Sequence, residues 1–544
     1  MIPDLVVVLS LAAAVAFLSV VARRLRVAPS ILMLLAGVAL AFVPGLPSVI
    51  LEPDLVLLLL LPPLLYFSGV SMSWRGFCAN LRPILLLAIG CVLFTAAAVA
   101  AVAHFALGLS WPVGFVLGAI ISPPDAVAPI ALLRNLRLPR RLITILEGES
   151  LVNDATALVA FSFALGAVAT GTFSPAAASA KFAIIVIGEL GYGLAAAWCM
   201  LRLRHYARDP RAEVLLALAT PFVAFWPPHE IGGSGVIACV AAGLYVSWNG
   251  RKIIRPATRL QGFFIWDLVT WAIEALVFLL MGLQARAIAG NLSAAGWLEF
   301  LQAGALIAVA TIVVRFVWVY SGTYLPRLLP ALRRREPDPD WRLPFMVGFT
   351  GLRGVVSLAA ALSIPLAIDG RPFPDRDLVL FVTFFVIVAT LVGLGSVLAW
   401  IARRIGLDEA GRGEAVKAKR DERAARLKGI RAVLKEIERA ETEGQPAISV
   451  AALRRYHADR LVLLTATADE TTMEEPTTDA ARLQLRLIAA ERSAITRLYE
   501  DSRVTDEARR RIERELDLEE ARSQHAEESA SSSDGSDLAR RERG

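Results

Sequence analysis

An ionisable residue inside a long apolar run costs several kcal/mol unless it is paired or hydrated, so each one marks a site by default. In this 544-residue sequence the informative ones fall in three runs. Ser122-Pro123-Pro124-Asp125-Ala126-Val127 interrupts one, and Glu147-Gly148-Glu149-Ser150-Leu151-Val152-Asn153-Asp154 opens the next. Gly351-Leu352-Arg353-Gly354, with Gly348 and Ser357 around it, interrupts a third. Residues four apart share a helical face, which groups Ser150 with Asp154 and Glu149 with Asn153. A carboxylate beside a hydroxyl offers hard oxygen ligands, suited to a small hard cation and not to a soft metal. Asp125 follows a Pro-Pro break and belongs in the first turn of a half-helix, where the dipole favours its charge. Arg353 reads as the lone arginine deep among Asp125, Glu149 and Asp154, and either Asp154 or Glu149 can be its partner. A carboxylate left over binds a proton or a cation.

The elements that carry these residues are apolar helices. The hydrophobic set makes up 56% of the chain, charged residues only 19%, and the mean hydropathy is +0.57. A soluble domain is closer to half apolar and a quarter charged. Charge is also unevenly placed, at about 12% of residues 1–404 and about 40% of 405–544. The sequence therefore predicts an all-α polytopic membrane domain over 1–404, a helical cytoplasmic tail over 405–523 and a disordered end over 524–544. About 13 segments are apolar enough to span. Alternate loops hold about 22 basic residues and the others about four, which places the N-terminus outside and the tail in the cytoplasm.

The two interrupted runs are the fifth and twelfth segments. If segments 1–6 and 8–13 are two halves, each half has its break in its fifth helix, and the offset makes the halves inverted repeats. Paired interrupted helices point to the midplane site of a secondary transporter. Other chemistries lack their residues. Four scattered cysteines and five histidines show no metal-ligand spacing. No GxxxxGK[ST] loop supports an ATP-driven pump, and the basic excess lies in the membrane loops, which argues against a nucleic-acid partner. No cofactor and no enzymatic activity are expected. Glu274 and Arg315 lie within spans and read as structural, pairing or facing water. Glu189 has no explanation in the sequence.

Gly148-Glu149-Ser150-Leu151-Val152-Asn153-Asp154-Ala155 and Gly351-Leu352-Arg353-Gly354-Val355-Val356-Ser357 resemble the two strongest signatures of the monovalent cation:proton antiporters of the electroneutral branch. These are the NhaP-like bacterial sodium/proton exchangers and their eukaryotic relatives. Ser234-Gly235-Val236-Ile237-Ala238 matches a weaker signature, and the resemblance covers roughly residues 5–402. It implies that Asp154 carries the cation or the proton, that Ser150 and Asp125 with the unwound backbone near Pro124 complete the oxygen shell, and that Asn153 makes exchange one cation per proton. It further implies a structural ion pair between Glu149 and Arg353 and a homodimer, while the Ala- and Arg-rich composition points to a bacterial plasma membrane. Two positions depart from the family pattern. Pro124-Asp125-Ala126 stands where Thr-Asp-Pro is common, and Ser68 follows Pro62-Pro63-Leu64-Leu65-Tyr66-Phe67 where some members have a carboxylate. The expected activity is exchange of Na⁺, or Li⁺, for H⁺ in a lipid bilayer. A K⁺/H⁺ antiporter regulated by its tail is the near alternative, and a cation channel a distant one that lacks a filter-like loop.

Overall fold

The computed structural model describes residues 2–25, 27–44, 51–133, 136–171, 175–207, 209–290, 297–328, 340–368, 371–442, 447–466, 476–501, 512–513 and 515–521. Among these the chain is helical except for turns and one two-residue hairpin pairing Ala367–Ile368 with Arg371–Pro372. The helices that position the site are α1 (Ile2–Leu25), α2 (Pro29–Ala41), α3 (Leu55–Ser71), α4 (Leu81–Leu107), α5 (Trp111–Ile121), α6 (Val127–Leu133), α7 (Arg140–Thr170) and α8 (Pro175–Ala207). They are followed by α9 (Pro210–Glu230), α10 (Val236–Ile253), α11 (Pro256–Leu283), α12 (Trp297–Tyr324), α13 (Arg342–Phe349), α14 (Val355–Leu362) and α15 (Arg376–Arg404). Among the described residues, six helices are long and apolar enough to cross a membrane: those of α4, α7, α8, α11, α12 and α15. The remaining apolar helices are shorter, and two apolar runs are split into the pairs α5/α6 and α13/α14.

Helices meet in lipid mainly through close backbone approach at small residues, because the lipid tails are as apolar as leucine. Gly37 of α2 faces Gly282 of α11 so tightly that a Cβ on Gly37 would lie 2.3 Å from the Leu279 carbonyl oxygen. One apolar cluster, with Val113, Leu117, Ile120, Ile307, Val382 and Val386, ties α5 to α12 and α15. A second, with Met33, Leu34, Leu279, Met281, Leu358 and Leu391, ties α2 and α11 to α14 and α15. The short α6 and α14 are thus wedged among longer helices that hold them in place.

The chain divides into two compact units, Met1–Ala415 and Val416–Gly544. The first runs past residue 404 because α16 (Leu407–Thr442) begins by docking on the turn that enters α7. Asp408 Oδ1 accepts from the Arg137 N–H at 2.9 Å and Glu414 Oε2 from the Arg140 N–H at 2.9 Å. Between them Gly411 presses on the Arg137 carbonyl, where a Cβ would fall 1.6 Å from the oxygen. The second unit contains the rest of α16 with α17 (Ala447–Ala466) and α18 (Pro476–Glu500). Ile430, Ile437, Val450, Ile488 and Leu516 are buried there, and Arg492 bridges Asp517 and Glu520. The end expected to be disordered, 524–544, lies outside the described residues.

Candidate ion-binding site

The two interrupted runs cross at their breaks. α5 stops at Ile121 because Pro123 and Pro124 have no amide hydrogen to donate, and the backbone stays unwound until Val127. α13 stops at Phe349, and Thr350–Gly354 carries the chain unwound into α14. The unwound stretches bond to each other: the Asp125 N–H donates to the Leu352 carbonyl at 2.7 Å. Gly354 is essential to this approach, since a Cβ there would lie 2.6 Å from Asp125 Cβ and from Oδ2. Asp125 stands just before α6, not in its first turn as the sequence suggested, and its Oδ1 accepts from the Val127 N–H at 2.8 Å. A carboxylate in that position caps the half-helix and meets its positive end.

α7 passes beside this crossing and presents two faces. On one, Asn153 Nδ2 donates to the Pro124 carbonyl at 2.7 Å, pinning the unwound stretch, while its Oδ1 has no hydrogen-bond partner among the described residues. On the other, Ser150 and Asp154 line a cavity of about 80 Å³ together with Pro124 and Asp125. Asp154 is buried. No lysine, arginine or histidine is among the described residues lining the cavity. Asp154, Asp125, Ser150 and Pro124 are therefore brought to one space. Asn153 braces it from behind. Carboxylate and hydroxyl oxygens around a small space without a counter-ion can hold a proton or a hard monovalent cation.

The expected pair between Glu149 and Arg353 is not formed. Glu149 is held by Arg315 in a two-pronged contact, Nη1 to Oε1 at 2.6 Å and Nη2 to Oε2 at 3.0 Å, with both side chains 2% exposed. Arg315 lies on the buried stripe Ala303, Ile307, Ala308, Thr311 and Val319 of α12, and its Nε donates to the Val347 carbonyl at 3.1 Å. That geometry matches the planar guanidinium fork. Arg353 instead turns back on its own loop: Nη1 donates to the Gly351 carbonyl at 3.1 Å and its backbone N–H to Thr390 Oγ1 at 3.1 Å. The constellation has two deep arginines, and the one on the intact helix takes the carboxylate.

The family model for the sodium/hydrogen exchanger, transmembrane, matches residues 9–404. The chain belongs to the sodium/hydrogen exchanger family. An uncharacterised Na⁺/H⁺ exchanger of Mycobacterium bovis is 34% identical to it over 529 residues, covering 95% of each chain. A "sodium, potassium, lithium and rubidium/H⁺ antiporter" of Bacillus pumilus is 33% identical over 374 residues, covering 66% of this chain and 55% of the relative. The solved sodium proton antiporter MjNhaP1 of Methanocaldococcus jannaschii superposes with TM-score 0.58 over 73% of this chain and 97% of its own, at 19% identity. That likeness shows a shared fold. The exchanger is thus a multi-pass membrane transporter, not an enzyme.

Three residues of the exchanger carry more than the sequence disclosed. Glu274, read from sequence as structural and a possible partner for Arg315, lies on α11 and lines the cavity with Asp154. Ser357 lines it too; it is 2% exposed, and its hydroxyl has no hydrogen-bond partner among the described residues. Glu189 is elsewhere, and its role is architectural. Its carboxylate accepts from the backbone N–H groups of Ser234, Gly235 (3.0 Å) and Ile237 (3.1 Å) and from the Ser234 hydroxyl (3.0 Å). It closes the N-terminus of α10, where unpaired amides need an acceptor. The Ser234-Gly235 turn is the signal that such an acceptor exists, and nothing in it names Glu189.

Proposed function

We propose that the exchanger moves one monovalent cation, Na⁺ or Li⁺, against one proton by alternating access, with cation and proton competing for Asp154. The cavity at the helix crossing carries this reading: it gathers Asp154, Asp125, Ser150 and the unwound Pro124 backbone, and no basic side chain lines it among the described residues. Either occupant neutralises Asp154 and lowers the cost of carrying it past an apolar barrier, while the empty ionised site moves poorly. This couples the two fluxes. Asn153 spends its amide on the Pro124 carbonyl. Being neutral, it adds no second charge to the cycle, which supports electroneutral exchange. The Bacillus pumilus relative's name includes potassium, so K⁺ belongs in the cation series to be tested, and a tail-regulated K⁺/H⁺ exchanger is the second reading.

The same reading places about 13 helices across the membrane as two inverted halves, each broken once, at α5/α6 and α13/α14. Alternation of basic and non-basic loops supports an outside N-terminus and a cytoplasmic α16–α18 tail, with domains at 1–404 and 405–523. The proposed assembly is a homodimer, on the strength of the family resemblance, in a plasma membrane, on the strength of the Ala- and Arg-rich composition.

The test is collapse of a pH gradient in proteoliposomes, read with a pH-sensitive dye on addition of Na⁺, Li⁺ or K⁺, beside an Asp154→Asn variant. Cation-dependent collapse that the variant lacks is expected. Collapse that survives in Asp154→Asn would move the site elsewhere.

A further inference from the structure

We propose that a cation bound at Asp154 is also held by the Glu274 carboxylate and the Ser357 hydroxyl, and that Glu274 sets the exchanger's apparent cation affinity. The inference rests on the reading of this cavity as the cation site and adds two ligands to it. The first observation is placement. Asp125, Ser150, Asp154 and Ser357 line the cavity from the broken-helix crossing and α7, and Ser68 and Glu274 line it from two other helices, α3 and α11. The second is the orphaned hydroxyl. A buried polar atom without a partner costs about 1–3 kcal/mol, and Ser357 Oγ is such an atom among the described residues, on a side chain that lines a space of about 80 Å³ with Asp125, Asp154 and Glu274. A bound cation supplies the missing partner.

The donor count fits. A hard cation gathers about six oxygens, and Ser68, Asp125, Ser150, Asp154, Glu274 and Ser357 each offer one or more. Glu274 differs from the others in where it is anchored. α11 is clamped to α2 through Gly282 and Gly37, while Asp125 stands in the unwound stretch before α6 and Ser357 on the half-helix α14. Glu274 is half-buried, as Asp125 and Ser150 are. Glu274 therefore adds a carboxylate from α11 to those of Asp154 and Asp125 around the same space. A ligand of this kind strengthens binding in the state that loads the ion and is not needed for the neutralised site to move, so its loss raises KM more than it lowers the maximal rate.

The experiment uses the purified full-length chain, with thermal unfolding followed while NaCl, LiCl or KCl replaces choline chloride at constant ionic strength, and transport measured on the same samples. Wild type should be stabilised by the transported cation. Glu274→Gln should need about tenfold more cation for half the stabilisation, the size expected for losing one charged contact. Its KM for transport should rise in parallel, with the maximal rate within about twofold. Glu274→Asp should recover most of the affinity. Ser357→Ala, which breaks no side-chain hydrogen bond among the described residues, should shift the midpoint several-fold and serves as the test if Glu274→Gln does not fold. Unchanged midpoints in the folded variants overturn the proposal, as does a wild type that no cation stabilises. A wild type that is stabilised but collapses no pH gradient would instead overturn the transport reading and leave these ligands in place.

Discussion

Glu149 and Arg315 form a fully buried charge pair, and the cost of such a pair is asymmetric. Removing one partner leaves an uncompensated charge in an apolar interior and costs about 3–5 kcal/mol, whereas replacing both with apolar residues can be close to neutral. Arg315→Ala should therefore lower the thermal unfolding midpoint markedly, and Arg315→Met with Glu149→Leu should recover much of it. Equal losses in the single and double variants would show that the pair is not the unit of stability. The sequence showed every residue in this cluster and still assigned the wrong arginine. Arg353 sits in a striking-looking glycine motif next in pattern to Glu149, but pairing depends on which side chain reaches across. Arg315 reaches Glu149 from the buried face of an intact helix; Arg353 does not, because its guanidinium turns back to the Gly351 carbonyl of its own unwound loop. Ser150 and Asp154 were legible for the opposite reason. Their relation is local, four residues on one helix.

At the scale of elements, the crossing depends on one atom that is not there. A methyl at Gly354 would collide with Asp125, so Gly354→Ala should displace Asp125 and remove most cation-dependent transport while the helices still form. Transport at wild-type level in that variant would mean the breaks tolerate separation. Glu189 supports a different element. Glu189→Ala would strip the acceptor from the start of α10 and should destabilise by about 2–3 kcal/mol, a charged hydrogen-bonded contact's worth, without changing the cation preference. The start of α16 is a third case, and it lies outside the membrane-spanning helices. Partial burial pushes the Asp408 carboxyl up, but the Arg137 N–H and the Arg412 guanidinium at 2.6 Å outweigh it and hold the group below its ordinary 3.8. With the folded value lowered, the docking contribution is complete above 3.8 and is lost as pH falls through the lowered value. The docked turn should therefore be indifferent to pH between about 5 and 9, as judged by amide exchange of Arg137 and Arg140. Loss of protection near neutral pH would mean that another group governs it.

For the whole molecule, the division into an apolar part and a charged helical tail could be read from composition, because burial in lipid and solvation by water demand different residues. Charge counting put the boundary at 404. The compact unit continues to Ala415, since Asp408, Gly411 and Glu414 look like surface residues in sequence and become contacts only when the α6–α7 turn arrives beneath them. Truncation after Ala415 should then leave the membrane unit as stable as before, whereas truncation at residue 405 should cost about 1–2 kcal/mol through the lost acceptors. Equal stability of the two truncations would show that the docked turn contributes nothing. The central claim, one site shared by cation and proton, is tested most directly by the KM for Na⁺ measured in proteoliposomes as a function of pH. Competition predicts that, once protons hold the site, KM rises about tenfold for each unit of acidification while the maximal rate is unchanged, since tenfold more protons demand tenfold more cation. A KM constant across the same range, with only the maximal rate falling in acid, would contradict it.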